Sequence, residues 1–313
     1  MTERKDIFQK NYVVALLAMV CCLLWGSAFP CIKIGYDMFG IASSDTASQI
    51  LFAGVRFTLA GILTVIIGSG LSRKTLVPKK SSWGMVVKLC LAQTVIQYFF
   101  FYVGLAHTSG VKGSIIEASH VFFSILISAL IFHYEKMGTL KTIGVLIGFA
   151  GVVLINLNGE GLDSSMSFMG EGFLLLSTLS YAMSSVLIKR FSERENPVTL
   201  SGYQFIIGGI IMAAAGFAMG GVLTGFTFKS ILLLIYMAMI SAVAYSIWGI
   251  LMKHNPVGKV AVYGFMSPVF GVLLSALLLH EQNQAFTMQG LASLVLVCVG
   301  IYIVNMDFSK GKK

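Results

Sequence analysis

Long apolar segments alternate with short polar connections along the whole chain. A helix needs about 20 mostly apolar residues to cross the roughly 30 Å hydrocarbon core of a bilayer, and ten segments meet this length within a few residues. They are 12–36, 47–69, 83–105, 110–134, 140–157, 170–190, 198–219, 229–252, 259–280 and 286–306. The pattern predicts an all-α integral membrane protein with ten transmembrane helices.

The fourth segment carries one polar stripe among otherwise apolar faces. Glu117, His120, Ser124 and Ser128 recur at intervals of three and four residues, so a helix places them on one face. A charge near the centre of a transmembrane helix costs roughly 2.5 to 3.5 kcal/mol on insertion scales, and such groups mark functional sites by default. We expect this stripe to face the interior of the bundle, with Glu117 and His120 as the proton-coupling groups.

The second half of the chain repeats the first at a spacing of about 147 residues. The stripe of the fourth segment returns in the ninth as Gly264, Ser267, Gly271 and Ser275. The third segment has its counterpart in the eighth, where Ser241, Tyr245, Trp248 and His254 match Thr94, Tyr98, Phe101 and His107. Because each half holds five segments, an odd number, the second half is predicted to insert upside down as an inverted repeat. The expected repeats are 14–157 and 168–306.

Composition and charge agree with a multi-pass membrane protein of the cytoplasmic membrane. The chain is 57% hydrophobic and 11% charged, and its net charge is +9. Alternate connections hold 17 and 3 of the lysines and arginines, so the positive-inside rule places both termini in the cytoplasm. The same rule explains the excess of positive charge, so no nucleic-acid partner is expected. All five cysteines fall inside apolar segments without C-x-x-C spacing, so neither disulfides nor a metal site are expected.

Motifs for an energised pump or a familiar enzyme are missing from the sequence. It contains no G-x-x-x-x-G-K phosphate loop, no H-E-x-x-H and no G-x-S-x-G. We therefore expect a secondary carrier that needs no cofactor and is not an enzyme.

Several segments together resemble one family. LLWGSAFPCIKIG at 23–35, FAGVRFTLAGIL at 52–63 and the paired SALIFHYE and SALLLHEQ are similar to the EamA-type branch of the drug/metabolite transporter superfamily. The resemblance implies a ten-helix inverted-repeat carrier for small organic metabolites, with a central cavity walled by the first four helices of each half. The chain departs from the family at Val121, where the family often has proline, and at the polar Glu117 and His120.

The expected substrate-binding residues are the polar and aromatic side chains in the middle of the segments. Arg56 and Glu117 lie at comparable depths, either as a structural ion pair or as cavity charges that bind a carboxylate or relay protons. Gln93 and Gln97 share one helix face and serve as interhelical hydrogen bonds or as cavity lining. The full set is Trp25, Arg56, Gln93, Gln97, Tyr98, Glu117, His120, Tyr181, Gln204, Tyr245, Trp248, Tyr263 and Ser267.

The leading hypothesis is a carrier that exports a small organic metabolite, such as an amino acid or a related amphiphile, by alternating access. Its partners would be the substrate, the lipid bilayer and protons, and it would work as a monomer or a homodimer. A multidrug or organic cation exporter is the alternative within the same class. An intramembrane enzyme or a passive channel is the alternative of a different class.

Overall fold

The computed structural model describes residues 7–133, 137–157, 167–255, 260 and 262–305, and these residues form helices and connecting loops. The longer helices of the described residues follow in chain order. They are α1 (Asn11–Met38), α2 (Thr46–Ser72), α3 (Lys80–Ala106), α4 (Gly110–Ile131), α5 (Thr139–Asn156), α6 (Phe168–Phe191), α7 (Pro197–Ala218), α8 (Phe228–His254), α9 (Tyr263–Leu278) and α10 (Met288–Asn305).

Among the described residues, nine of these helices are long and apolar enough to cross a membrane. Their bounds differ from the predicted segments by a few residues. The predicted segment 259–280 lies partly outside the described residues, and within them it contains α9, an apolar helix whose first residues belong to a 3-10 turn at Val262–Phe265. The predicted connection between the halves, 156–170, lies partly outside the described residues. The nine helices establish a multi-pass membrane protein.

Helix α4 is interrupted beside its polar stripe. Its first part ends at Glu117, Ala118 and Ser119 form a turn, and the second part begins at His120. The Nδ1 atom of His120 lies 2.7 Å from the carbonyl oxygen of Glu117. The imidazole therefore provides a hydrogen-bond partner for this backbone carbonyl at the interruption. The break occurs without the proline that would ordinarily explain it. It leaves Glu117 at the end of a short helix instead of in the middle of a long one.

Glycines allow two helix pairs to pack closely. Helix α2 lies along α7, where a Cβ atom on Gly61 would lie 2.5 Å from the backbone nitrogen of Ile206. Helix α5 lies along α10, where a Cβ atom on Gly300 would lie 2.7 Å from the Cα atom of Gly148. Small residues permit this backbone approach in membranes, where van der Waals contact is a main source of helix association.

Several other helix contacts occur in matched pairs. Helix α1 contacts α8 and α9, and α6 correspondingly contacts α3 and α4. Helix α2 contacts α8, and α7 correspondingly contacts α3. Each of these contacts therefore has a counterpart between the helices that lie five places earlier or later in the chain.

Backbone conformations repeat at the spacing seen in the sequence. Arg73 and Gly220 follow the ends of α2 and α7 with φ of 51° and 88°. His133 and His280 follow the ends of α4 and α9 with φ of 55° and 57°. Both pairs are 147 residues apart, and a left-handed residue is a common way to end a helix. The two halves therefore end corresponding helices in the same way.

Candidate functional site

A cavity of about 1080 Å³ runs into the bundle between the two halves. Helices α1 to α4 and α6 to α9 supply most of its wall, while α5 and α10 contribute Lys141, Val304 and Asn305. Nearly all of the predicted site residues line this one cavity. They are Trp25, Arg56, Gln93, Gln97, Tyr98, Glu117, His120, Tyr181, Tyr245, Trp248 and Ser267.

The guanidinium of Arg56 lies in the cavity wall without a carboxylate partner among the described residues. Its Nε donates to the carbonyl oxygen of Met237 at 3.2 Å, and its two terminal nitrogens donate to Tyr102 Oη at 2.5 Å and Ser241 Oγ at 3.3 Å. Its carbon also lies 4.8 Å from the centre of the Phe57 ring, a cation–π distance. Two of the five N–H groups of a guanidinium remain for another acceptor.

Arg56 and Glu117 line the cavity but do not form the ion pair that was one of the two sequence interpretations. In the part of the chain that the structure describes, the ion pair is instead between Lys112 and Glu171, at 3.7 Å. The Oε2 atom of Glu117 is buried and has no hydrogen-bond partner among the described residues. Arg56 and Glu117 therefore lie in the wall of one cavity without satisfying each other.

Aromatic residues form the middle of the cavity. The Trp25 ring packs edge-on against Tyr245 and Trp248, with ring centres 5.6 and 5.1 Å away. The Tyr181 ring packs edge-on against His120 at 4.8 Å. The indole Nε1 of Trp25 is buried and lacks an acceptor within the described ranges. The cavity thus combines flat apolar surfaces with an unused hydrogen-bond donor.

The two glutamines of α3 have different surroundings. Gln93 Oε1 accepts from Gln204 Nε2 at 2.6 Å, which makes Gln93 an interhelical contact as well as part of the cavity wall. Gln97 Oε1 is buried and has no donor among the described residues. Both interpretations of this face are therefore represented, with interhelical bonding at Gln93 and a free acceptor at Gln97.

Two of the predicted binding residues do not line the cavity. Gln204 is fully buried behind the wall, where it also accepts a hydrogen bond from Thr94 at 3.2 Å. Tyr263 packs at the edge of a small cluster with Val14 and Leu251, and its carbonyl oxygen accepts from the thiol of Cys22. Gln204 follows Arg56 by 148 positions, and its partner Thr94 is the counterpart of Ser241, which bonds to Arg56. The surroundings correspond, but the longer arginine lines the cavity and the shorter glutamine does not.

The predictions did not include some residues of the wall. Ser185 lines the cavity one helical turn after Tyr181, and this i, i+4 spacing was the available signal. Lys79, Lys189, Glu193, Arg194 and Glu195 line the end of the cavity that opens between the starts of α3, α5 and α7 and the end of α6. We call this end the mouth. It lies among the connections that the charge count assigns to the cytoplasm.

Lys33 is held at the other end of the bundle. Its Nζ atom donates to the carbonyl oxygens of Thr108 at 2.6 Å and Leu105 at 3.4 Å. The side chain therefore binds the connection between α3 and α4.

Comparisons with known proteins agree with these features. The sequence model of the EamA-like transporter family matches residues 13–157 and 168–306. An uncharacterized transporter of Bacillus subtilis is 27% identical over 303 residues, which cover 96% of this chain and 93% of that protein. An Escherichia coli protein named "Probable amino-acid metabolite efflux pump" is 24% identical over 309 residues, covering 94% of each chain.

A solved crystal structure has the same fold. It superimposes with a TM-score of 0.66 at 19% identity, over 94% of this chain and 96% of its own. The family and the names of its relatives indicate transporters rather than enzymes. Together with the apolar helices and the central cavity, the family match shows that the chain belongs to the EamA-like transporter family within the drug/metabolite transporter superfamily.

Proposed function

We propose that the protein is a secondary transporter of the cytoplasmic membrane that exports a small zwitterionic amphiphile, such as an amino acid or a related metabolite, by alternating access. The observation that carries this proposal is the pair of unmatched charges in one cavity. Arg56 has no carboxylate partner among the described residues, and Glu117 Oε2 has no donor.

The unused polar atoms of the cavity define a complementary ligand. Arg56 and the Trp25 indole offer N–H donors, which suit a carboxylate. Glu117 and Gln97 offer acceptors, which suit an ammonium group. Because buried polar groups without partners are costly, a molecule that supplies both kinds of group gains most from binding here. The aromatic surfaces of Trp25, Tyr245 and Trp248 suit an apolar side chain.

Ten spans arranged as two inverted repeats are the architecture proposed for this transport. The matched helix contacts and the left-handed residues 147 positions apart support two equivalent halves. An inverted repeat provides two alternative arrangements around a central site, which is the basis of alternating access. The mouth lies among positively charged connections, so we assign the observed arrangement as the state open to the cytoplasm.

The decisive experiment uses purified protein in liposomes with a proton gradient. Uptake of a panel of amino acids is measured with and without the proton gradient. A transported substrate must be accumulated against its own concentration gradient. Export from cells is then checked by comparing external metabolites with and without the protein. Transport that does not saturate with concentration would instead indicate a channel.

An organic cation exporter is the second candidate, favoured by the free carboxyl oxygen of Glu117 beside aromatic rings. The same liposomes distinguish the two by competition. A zwitterionic substrate is displaced by other carboxylates and depends on Arg56, whereas an organic cation is displaced by quaternary amines and tolerates Arg56→Gln.

A further inference from the structure

The end of the cavity opposite the mouth is closed by a polar cluster around the connection between α3 and α4. We propose that Glu281 is the latch of this closed end and that its contact with the start of α4 must break before the cavity opens to the other side of the membrane. This inference rests on the proposed alternating access.

The carboxylate of Glu281 bridges two separate parts of the bundle. It follows α9, and its Oε1 and Oε2 atoms accept from the backbone N–H groups of Gly110 at 3.0 Å and Val111 at 2.8 Å. These N–H groups belong to the first turn of α4, where a helix has no internal acceptors for them. A carboxylate at this position is also favoured by the helix dipole. The contact is therefore specific for a charged two-oxygen group.

Two further charged side chains hold the same connection from other helices. Lys33 of α1 donates to the carbonyl oxygens of Thr108 and Leu105. Glu171 of α6 accepts from the Thr108 hydroxyl at 2.6 Å and from the Ser167 N–H at 2.8 Å, and pairs with Lys112. Three elements besides α3 and α4 thus converge on one short connection. Of these three charged side chains, Glu281 is the one that joins the start of α4 to the segment after its repeat counterpart, α9.

An apolar layer lies between this cluster and the cavity. The Phe29 and Phe101 rings are in contact, with centres 5.6 Å apart. Small residues seal the junction of α4 with α9, since a Cβ atom on Gly110 would lie 2.6 Å from Ser275 Oγ and one on Gly271 would lie 2.5 Å from Ser114 Oγ. Opening this end requires α4 to leave α9, and the bonds to Glu281 cross that same junction.

The latch is connected to the binding cavity by a single short helix. The first part of α4 begins at Gly110, which Glu281 holds, and ends at Glu117, which lines the cavity. The turn at Ala118 and Ser119 separates this part from the rest of α4. A ligand that moves Glu117 therefore acts on a rigid segment whose other end is the latch.

The test measures access to the cavity from each side of the membrane. Ala28→Cys, in a variant that lacks the five native cysteines, places one thiol in the cavity wall. An impermeant maleimide is applied to intact cells and to inverted membrane vesicles. Glu281→Gln keeps the size of the side chain but replaces one acceptor oxygen with a donor. We expect it to raise labelling through the closed end about tenfold.

Val111→Pro tests the same contact from the other partner. It removes the N–H group that donates a hydrogen bond to Glu281 Oε2. The position lies in the first helical turn, where proline is tolerated. The variant should raise labelling through the closed end like Glu281→Gln. Gln282→Ala, an exposed neighbour, is the control and should leave labelling unchanged.

The proposal is overturned if folded Glu281→Gln is labelled from both sides at the rates of the parent protein. If Val111→Pro fails to fold, Glu281→Gln decides alone. Failure of the proposed function has a separate signature, because the parent protein would then move no substrate in liposomes whatever the labelling of these variants. Comparing both faces also makes the result independent of the orientation of the chain.

Discussion

The hydroxyl groups of Tyr98 and Tyr245 lie 3.2 Å apart, although the two residues are separated by 147 positions and occupy equivalent places in the sequence repeat. Each therefore meets its own counterpart in the middle of the cavity. A side chain can contact its counterpart only where both lie close to the axis that relates them. This pair marks the centre of the cavity, where the surfaces of the two halves meet.

We expect the two hydroxyl groups to be energetically coupled. Tyr98→Phe and Tyr245→Phe each remove one partner, and a net hydrogen bond of this kind contributes about 0.5 to 1.5 kcal/mol. A double-mutant cycle on the free energy of unfolding in mild detergent should show a coupling in this range. Strictly additive effects would show that the observed contact contributes nothing.

Much of the site was predictable because helical periodicity assigns residues to faces. The stripe of Glu117 and His120 and the mirrored aromatic residues Tyr98 and Tyr245 do line the cavity. Periodicity does not say which neighbouring helix a face meets. Thr94 shares the stripe of Tyr98, yet its hydroxyl bonds to Gln204 on α7 and does not reach the cavity.

The interruption of α4 was also beyond the sequence pattern. A break is ordinarily signalled by proline, glycine or inserted polar groups, and Ala118 and Ser119 give only a weak signal. The contact of Glu281 with Gly110 and Val111 joins segments about 170 residues apart, and no local pattern indicates it. Long-range contacts of this kind depend on the packed arrangement of the helices.

The topology makes a direct prediction. The loop that contains Val77 should face the cytoplasm, and the connection that contains Ser164, outside the described residues, should face out. Single cysteines at these positions are treated with an impermeant thiol reagent in intact cells. Ser164→Cys should react and Val77→Cys should react only after the membrane is opened. The reverse labelling pattern would place the mouth of the cavity on the outer side of the membrane instead of the cytoplasmic side.

Arg56→Gln should fold but bind a zwitterionic or anionic substrate about 10- to 100-fold more weakly, because charge-assisted hydrogen bonds contribute roughly 1.5 to 3 kcal/mol. Glutamine already occupies the equivalent repeat position at Gln204. Arg56→Lys keeps the charge and should retain part of the affinity. Arg73→Gln, an exposed residue after α2, is the matched control. Binding is measured by calorimetry, and an unchanged affinity would assign Arg56 to the architecture alone.

Glu195 should give the mouth a weak dependence of stability on pH. Partial burial raises the pKa of Glu195, but hydrogen bonds from the N–H groups of Lys79 and Asn196 and from the Ser82 hydroxyl lower it more. Its pKa in the folded protein therefore lies below the ordinary value of 4.5. The stabilisation is complete above that value and is lost as the pH falls through the lower folded pKa.

Glu195→Gln should consequently lower the free energy of unfolding at pH 7, by less than about 1 kcal/mol because the group is only partly buried and water screens its interactions. The difference from the parent protein should shrink below pH 4.5. Thermal unfolding across this pH range measures both effects. Glu193→Gln, the exposed neighbour, should show neither. A difference that stays constant down to acid pH would contradict the assigned role of the carboxylate.

The sharpest prediction concerns the carboxyl group of Glu117. Its Oε2 atom is buried without a partner among the described residues, and Arg56 does not pair with it in this arrangement. Keeping an unpaired carboxylate out of water is costly, so under the proposed alternating access we expect the group to exchange a proton or a cationic ligand when the cavity changes sides. A permanent ion pair would have removed this requirement. The observed geometry therefore favours Glu117 as the group that couples protons to substrate.

Glu117→Gln in reconstituted liposomes separates coupling from transport itself. The glutamine is always neutral, so accumulation driven by a proton gradient should be lost. Exchange of labelled for unlabelled substrate without a gradient should survive, because it needs no change in proton occupancy. Ser124→Ala, on the same stripe of α4 but without an ionisable group, is the control and should keep both activities. If gradient-driven accumulation and exchange both persist in Glu117→Gln with their original pH dependence, then Glu117 does not carry the proton. The free carboxyl oxygen would in that case serve only to bind the substrate.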